Sequence, residues 1–187
     1  MSVKYQAILF DLDMTLVDST AASDARENAR RRRVPWADVF HSIRECVLYE
    51  GVRELLDRLD KDRIAWGVVT NTPSVYADYV LSHFEITPPV LRCYHDCRDE
   101  RGKYLVKPHP AQLISAASEL GCPVSACAYV GDQPNDIIAA RAAKMISIAA
   151  FWGAVDEADM ASENPAFIFS EVSDLADHIA SNCLVDA

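Results

Sequence analysis

The chain has 187 residues, half of them hydrophobic, and carries 28 Asp and Glu against 18 Lys and Arg, a formal net charge of −10. That length suffices for one sizeable core, or a domain with a small appendage, and the composition is that of a globular rather than a disordered chain. The acidic balance disfavours general binding to nucleic acid or anionic membranes, and no apolar run approaches the length of a membrane span.

In chain order, the first strand is expected over Gln6–Phe10 and runs straight into Asp11-Leu12-Asp13-Met14-Thr15. From Ser19 to Glu50 no strand signal is present. Thr20–Arg33 is helix-friendly, Pro35 interrupts, and Trp36–Tyr49 reads as a second helix with Val39, Phe40, Ile43 and Val47 on one face. This stretch reads as a helical hairpin inserted into an α/β core, giving a core over 1–18 and 51–187 and an insertion over 19–50. Strands are then expected over Ile64–Thr70, Val90–Tyr94, Ala126–Val130, Met145–Ala150 and Ala166–Phe169. Helices are expected over Gly51–Leu59, Ser74–His83, Pro110–Leu120, Pro134–Ala143 and Glu171–Ser181, with Gly121 as a helix stop. Most of the strands are near-continuous apolar runs, as strands covered on both faces are. Alternation of this kind predicts an α/β fold with a mostly parallel sheet.

The N-terminal stretch reads neither as a signal peptide nor as a spanning helix. Six cysteines lie scattered without the density of a disulfide framework, which suits a reducing compartment and a cytoplasmic protein. Cys93, His95 and Cys97 cluster, but a metal site would need a fourth ligand from a partner segment. Thiols and a histidine near a strand end is the reading adopted for them. The basic run Arg30–Arg33, with Arg26 a turn earlier, suits a solvated helix C-terminus; it would also suit a basic edge attracting an anion.

In open parallel α/β sheets, ligands sit beyond the carboxyl ends of the strands. Four segments fall there: Asp11 to Thr15, then Thr70-Asn71, then Lys107-Pro108, and finally Gly131-Asp132-Gln133-Pro134-Asn135-Asp136. Their chemistry is complementary. Clustered carboxylates build an oxygen-lined site suited to Mg²⁺. Lys107 would offset their charge and hold a phosphoryl oxygen, while Thr70 and backbone N–H groups would donate to the others. One carboxylate can attack phosphorus, and a second, two residues on, can protonate the leaving oxygen and then activate water.

In this order and setting, "FDLDMTLVDS", "VVTN", "KP" and "VGDQPNDI" resemble the four motifs of the haloacid dehalogenase-like superfamily. "NDIIAARAAKM" is similar to the segment that follows in phosphoglycolate-phosphatase-like members. The resemblance implies a three-layer Rossmann-like core with a helical cap, and Mg²⁺-dependent hydrolysis of a phosphate monoester through an aspartyl-phosphate. It implies Asp11 as nucleophile and metal ligand, and Asp13 as general acid/base whose backbone carbonyl also reaches the metal. Thr70, Asn71 and Lys107 would bind the phosphoryl group; Asp132 and Asp136 would complete the metal site. Thr15 would order the first loop. An acid at Asp13 points to phosphate esters rather than to haloacids or phosphonates. Phosphoryl transfer, as in sugar-phosphate mutases, and a non-catalytic phosphate-binding role are the alternatives.

Several residues also carry plainer readings. Asn135 and Asp136 could cap the helix that follows, the better reading for Asn135, and Ser19 and Thr20 read as helix N-caps. Met14 and Lys144 stand where similar proteins most often have Gly. The insertion is about half the length of the caps in similar proteins, so it can cover only part of the site. A small phosphorylated metabolite or a larger phosphoester could therefore be the substrate, and residues 96–106 could overhang the site beside Lys107.

Overall fold

The computed structural model describes residues 5–32 and 37–183, and of Arg30, Arg32, Ala37 and Asp38 the backbone alone. In chain order the strands are β1 (Ala7–Phe10), β2 (Val17–Asp18), β3 (Val47–Leu48), β4 (Ala65–Val69), β5 (Leu91–Arg92), β6 (Cys127–Gly131), β7 (Ile146–Ala150) and β8 (Phe167–Phe169). The α-helices are α1 (Ser23–Arg32), α2 (Ala37–Ser42), α3 (Val52–Lys61), α4 (Ser74–His83), α5 (Ala111–Glu119), α6 (Pro134–Ala143), α7 (Glu157–Ser162) and α8 (Val172–Asn182). Six strands form one parallel sheet in the order β5-β4-β1-β6-β7-β8; β2 and β3 pair antiparallel beside it.

The apolar runs are explained by what lies on each face. In β1, Ile8 and Phe10 enter one apolar cluster, shared with α3, α4 and α8. Ala7 and Leu9 enter the other, shared with α5 and α6. In β6, Ala128 and Val130 face the first cluster, and Cys127 and Tyr129 the second. Successive side chains point to opposite faces, so a strand covered twice has no polar position to offer. The sheet is therefore the middle of three layers, as the sequence motifs imply.

β1 lies between β4 and β6, with Phe10 opposite Val68 and Val130. The carboxyl ends of these three central strands thus deliver Asp11, Thr70 and Asp132 to one edge. Among the described residues, no helix is long and apolar enough to cross a membrane.

The insertion departs from the expected hairpin. Its first helix begins at Ser23, after a 3-10 turn over Thr20–Ala22. The second ends at Ser42, passes through a 3-10 turn at Ile43–Glu45, and gives way to β3. Val47, expected on a helix face, is instead an exposed strand residue paired with Asp18. Arg33, Pro35 and Trp36 lie outside the described residues. Ala22, Ala29, Val39, Ile43 and Cys46 join the cluster that holds Ile8 and Phe10, so the insertion packs against the sheet domain through apolar contacts. The strand expected over Val90–Tyr94 pairs only at Leu91–Arg92, and α7, which buries only Met160, carried too little apolar signal to be foreseen.

Candidate active site

The loop after β1 is tightly held. Asp11 N–H donates to Val130 O at 2.9 Å, Met14 N–H to Val17 O at 2.7 Å, and the Trp152 indole to Thr15 O at 2.9 Å. Met14 has a φ of 62°, the left-handed conformation that costs a side-chain-bearing residue on the order of 1–2 kcal/mol. Glycine would take this conformation without that cost; the bonds around the loop hold Met14 there, and its side chain lines the site. Lys144, with a φ of 63°, closes α6 in the same conformation.

Lys107 organises the centre. Its Nζ lies 2.9 Å from Asp11 Oδ1, 2.8 Å from Asp136 Oδ1 and 2.6 Å from the Tyr129 hydroxyl, which donates onward to Val69 O at 2.8 Å. Three ammonium protons thus meet three acceptors. Burial opposes the charge on Lys107, but Asp11 and Asp136 outweigh it and hold the ammonium above the ordinary lysine range. Asn71 fixes this segment: its amide donates to Lys107 O at 2.9 Å and accepts from Lys107 N–H at 3.0 Å.

Oxygens of Asp11, Asp132 and Asp136 lie within 4.8 Å of one another. Thr15 Oγ1 donates to Asp132 Oδ1 at 2.9 Å, while Asp132 Oδ2 is buried with no partner. Asp136 is committed on both sides, since its Oδ2 accepts the Gln133 N–H at 3.0 Å. Burial, opposed by Lys107, pushes the Asp11 carboxyl up to about 7. Burial and the neighbouring Asp11 and Asp136 push Asp132 up to about 8. Were all three ionised beside the one ammonium, two negative charges would stand buried; a divalent cation would balance them and favour that ionised state. The orphaned Asp132 oxygen is where such an ion finds a ready donor.

Asp13 stands apart from this trio. Its Oδ1 accepts from the Tyr76 hydroxyl at 2.8 Å and pairs with Arg26 at 2.5 Å. Burial and the nearby Asp13 keep the Tyr76 hydroxyl well above the ordinary phenol range, so it remains a donor. Thr70 is buried, its Oγ1 3.0 Å from Thr72 Oγ1 and accepting the Thr72 N–H at 3.2 Å.

These groups enclose a cavity of about 450 Å³, lined by Asp11, Asp13, Met14, Thr70, Asn71, Thr72, Lys107, Gln133, Asn135 and Asp136, and from α1 by Ser23, Asp24, Arg26 and Glu27. Among the described residues, none from 96–106 lines it, so the overhang does not occur. That loop is folded on itself, with Arg98 over the Tyr104 ring and Tyr104 against Tyr94 and His95. Cys93 and Cys97 are free thiols there. Asn135 is not the cap of α6: Gln133 is, in a reciprocal box with Asp136. Asp18, rather than the Ser19 side chain, accepts the Thr20 N–H, at 3.0 Å.

Of the residues expected at the site, Asp11, Thr70, Lys107, Asp132 and Asp136 converge, Asp13 and Asn71 border them, and Thr15 supports Asp132. Arg26, which the sequence offered either as a solvated residue or as part of a basic edge, lines the cavity; Tyr76 and Tyr129 were not foreseen. A charge run on a helix reads as solvated, and a tyrosine in an apolar stretch reads as core.

A family model described as haloacid dehalogenase-like hydrolase matches residues 26–144. The phosphoglycolate phosphatase of Xanthomonas campestris pv. campestris is 32% identical in an alignment covering 79% of this chain and 84% of that protein. The N-acetylmuramic acid 6-phosphate phosphatase of Pseudomonas aeruginosa is 30% identical over 70% of this chain and 53% of its own length. The crystal structure of a hydrolase from Pseudomonas syringae superposes with a TM-score of 0.77 at 20% identity, covering 94% of this chain and 98% of that one. At that identity the likeness concerns the fold.

Proposed function

The chain belongs to the haloacid dehalogenase-like hydrolases, and from that premise we propose that it is a Mg²⁺-dependent phosphatase that hydrolyses a small phosphate monoester through an aspartyl-phosphate on Asp11. The observation that carries this reading is the buried trio Asp11, Asp132 and Asp136, three carboxyl groups beside the single ammonium of Lys107, with one Asp132 oxygen unpartnered. Asp11, Asp132 and the Asp13 backbone carbonyl would hold the ion; Asp136, with both oxygens already accepting, serves it indirectly. When bound, the ion supplies the positive charge that lets a phosphate dianion approach a carboxylate.

The chain's own groups divide the remaining work. An Asp11 oxygen attacks phosphorus, an acyl-phosphate bond between Asp11 and phosphorus forms, and the bond to the leaving oxygen breaks. Asp13 gives that oxygen its proton. Asp13 then takes a proton from water as the water oxygen attacks the same phosphorus, releasing inorganic phosphate and the Asp11 carboxylate. Lys107 steadies Asp11 and offers its charge to the phosphoryl oxygens; Thr70 and Asn71, at the cavity wall, orient that group.

Residues 19–50 act as a short cap, with α1 forming one wall of the cavity. A cavity of about 450 Å³ suits a small phosphorylated metabolite, in line with the names of the two relatives. Six free thiols fit a cytoplasmic setting. The test is Asp11→Asn: it should abolish metal-dependent release of phosphate from an aryl phosphate while the melting curve stays cooperative. Full activity in that variant sinks the assignment.

A further inference from the structure

Asp13 is held by donors from two parts of the fold. The Tyr76 hydroxyl, on α4, donates to its Oδ1 at 2.8 Å. The Arg26 guanidinium, on α1 of the insertion, meets the same oxygen at 2.5 Å. Arg26 also lies over the Tyr76 ring, 5.4 Å from its centroid, so the three side chains form one unit.

Tyr76 is fully buried in the apolar cluster that contains Ile8 and Phe10 of β1. Its hydroxyl therefore has a fixed place relative to the strand from which Asp11 and Asp13 emerge. The other oxygen of Asp13, Oδ2, is buried without a partner. Among the described residues, the carboxylate is thus restrained through Oδ1 alone. A group that exchanges a proton with a reacting oxygen has to keep its position within a fraction of an ångström, and such precision comes from packed neighbours that lock its rotamer.

We propose that Tyr76 and Arg26 are positioning residues for Asp13, fixing its carboxylate at the cavity edge so that it can pass a proton to the leaving oxygen. This rests on Asp13 being the acid and base of the proposed phosphatase. Neither residue needs to touch the ester; both act through Asp13. Loss of either hydrogen-bonding group should therefore copy the signature of losing Asp13 itself, in weaker form.

The experiment compares kcat/KM, which reports the steps up to transfer of the phosphoryl group to Asp11, for two esters at saturating Mg²⁺. One is a dinitrophenyl phosphate, whose leaving group needs no proton. The other is an alkyl phosphate that the wild type turns over, whose leaving group does need one. Tyr76→Phe and Arg26→Gln should each lose roughly 10- to 100-fold on the alkyl ester, the range for one hydrogen bond to a charged group, and little on the aryl ester. Asp13→Asn should show the same split, more strongly. Should Asp13→Asn split the two esters while Tyr76→Phe and Arg26→Gln lose equally on both, or on neither, the positioning role is refuted and the phosphatase mechanism stands. With no split in Asp13→Asn, the acid assignment itself falls, and the inference with it. Tyr76→Phe retains the buried ring; should it nevertheless fail to fold, Arg26→Gln decides the question alone.

Discussion

Replacing Lys107 with Met removes the one ammonium among Asp11, Asp136 and Tyr129 while keeping a side chain of similar length. Two contacts of 2.9 and 2.8 Å to buried carboxylates disappear, and the Tyr129 hydroxyl loses its donor. Removing one partner of a buried ion pair costs about 3–5 kcal/mol because the other charge is left uncompensated. For a chain of this length that is a fall in Tm of roughly 6–20 °C. The cost has a pH signature. Without the cation, Asp11 can still become neutral by binding a proton, so the deficit shrinks as pH falls below about 7 and grows as pH rises above it. In the wild type, Asp11 already titrates up at about 7, so at pH 5.5 it is neutral in both proteins. Urea unfolding of the metal-free proteins at pH 5.5 and pH 8.5 measures this directly. An equal loss at the two pH values, or less than about 1 kcal/mol at pH 8.5, would refute the electrostatic account of the site.

Three further outcomes follow from the same geometry. A Cβ at Gly131 would stand 2.4 Å from Asp136 Cγ, and Asp136 is pinned by Lys107 and the Gln133 N–H. Gly131→Ala should therefore cost about 1–3 kcal/mol in a thermal melt and lower kcat as well, by dislodging Asp136. Thr15→Val strips Asp132 Oδ1 of its hydroxyl donor and should weaken Mg²⁺ binding about 10- to 100-fold by calorimetric titration. Asp11 and Asp132 are both raised, to about 7 and about 8, and a raised carboxyl stabilises the fold below its unfolded value and loses that contribution as pH climbs through the folded one. Metal-free protein should thus lose stability from about pH 4 to pH 8, and saturating Mg²⁺ should remove that slope; a flat profile in chelator contradicts it.

The convergence of the candidate site was legible in the sequence because several of its residues sit immediately after uninterrupted apolar runs. Asp11 after Ala7–Phe10, Thr70 after Ala65–Val69 and Asp132 after Cys127–Gly131 could only end up at one edge of one parallel sheet. Lys107, which follows no strand, was placed by its order in the chain. What escaped were residues whose role depends on side-chain direction. Arg26 belongs by spacing to a solvated basic run, and only the docking of α1 turns it inward. Tyr76 and Tyr129 differ from neighbouring core residues by one hydroxyl. β2 and β3 are two residues long, too short for any alternation to register.

The pairing of β1 with β6 brings together chain segments more than a hundred residues apart, as the Thr15–Asp132 bond across 117 positions makes plain. A chain that has collapsed and formed its helices, but has not yet married these two strands, owns no fraction of an active centre. Catalytic recovery during refolding should consequently report this long-range pairing rather than compaction. Trp152, whose indole clasps the Thr15 carbonyl, gives that pairing an optical signal: its fluorescence should settle together with returning turnover.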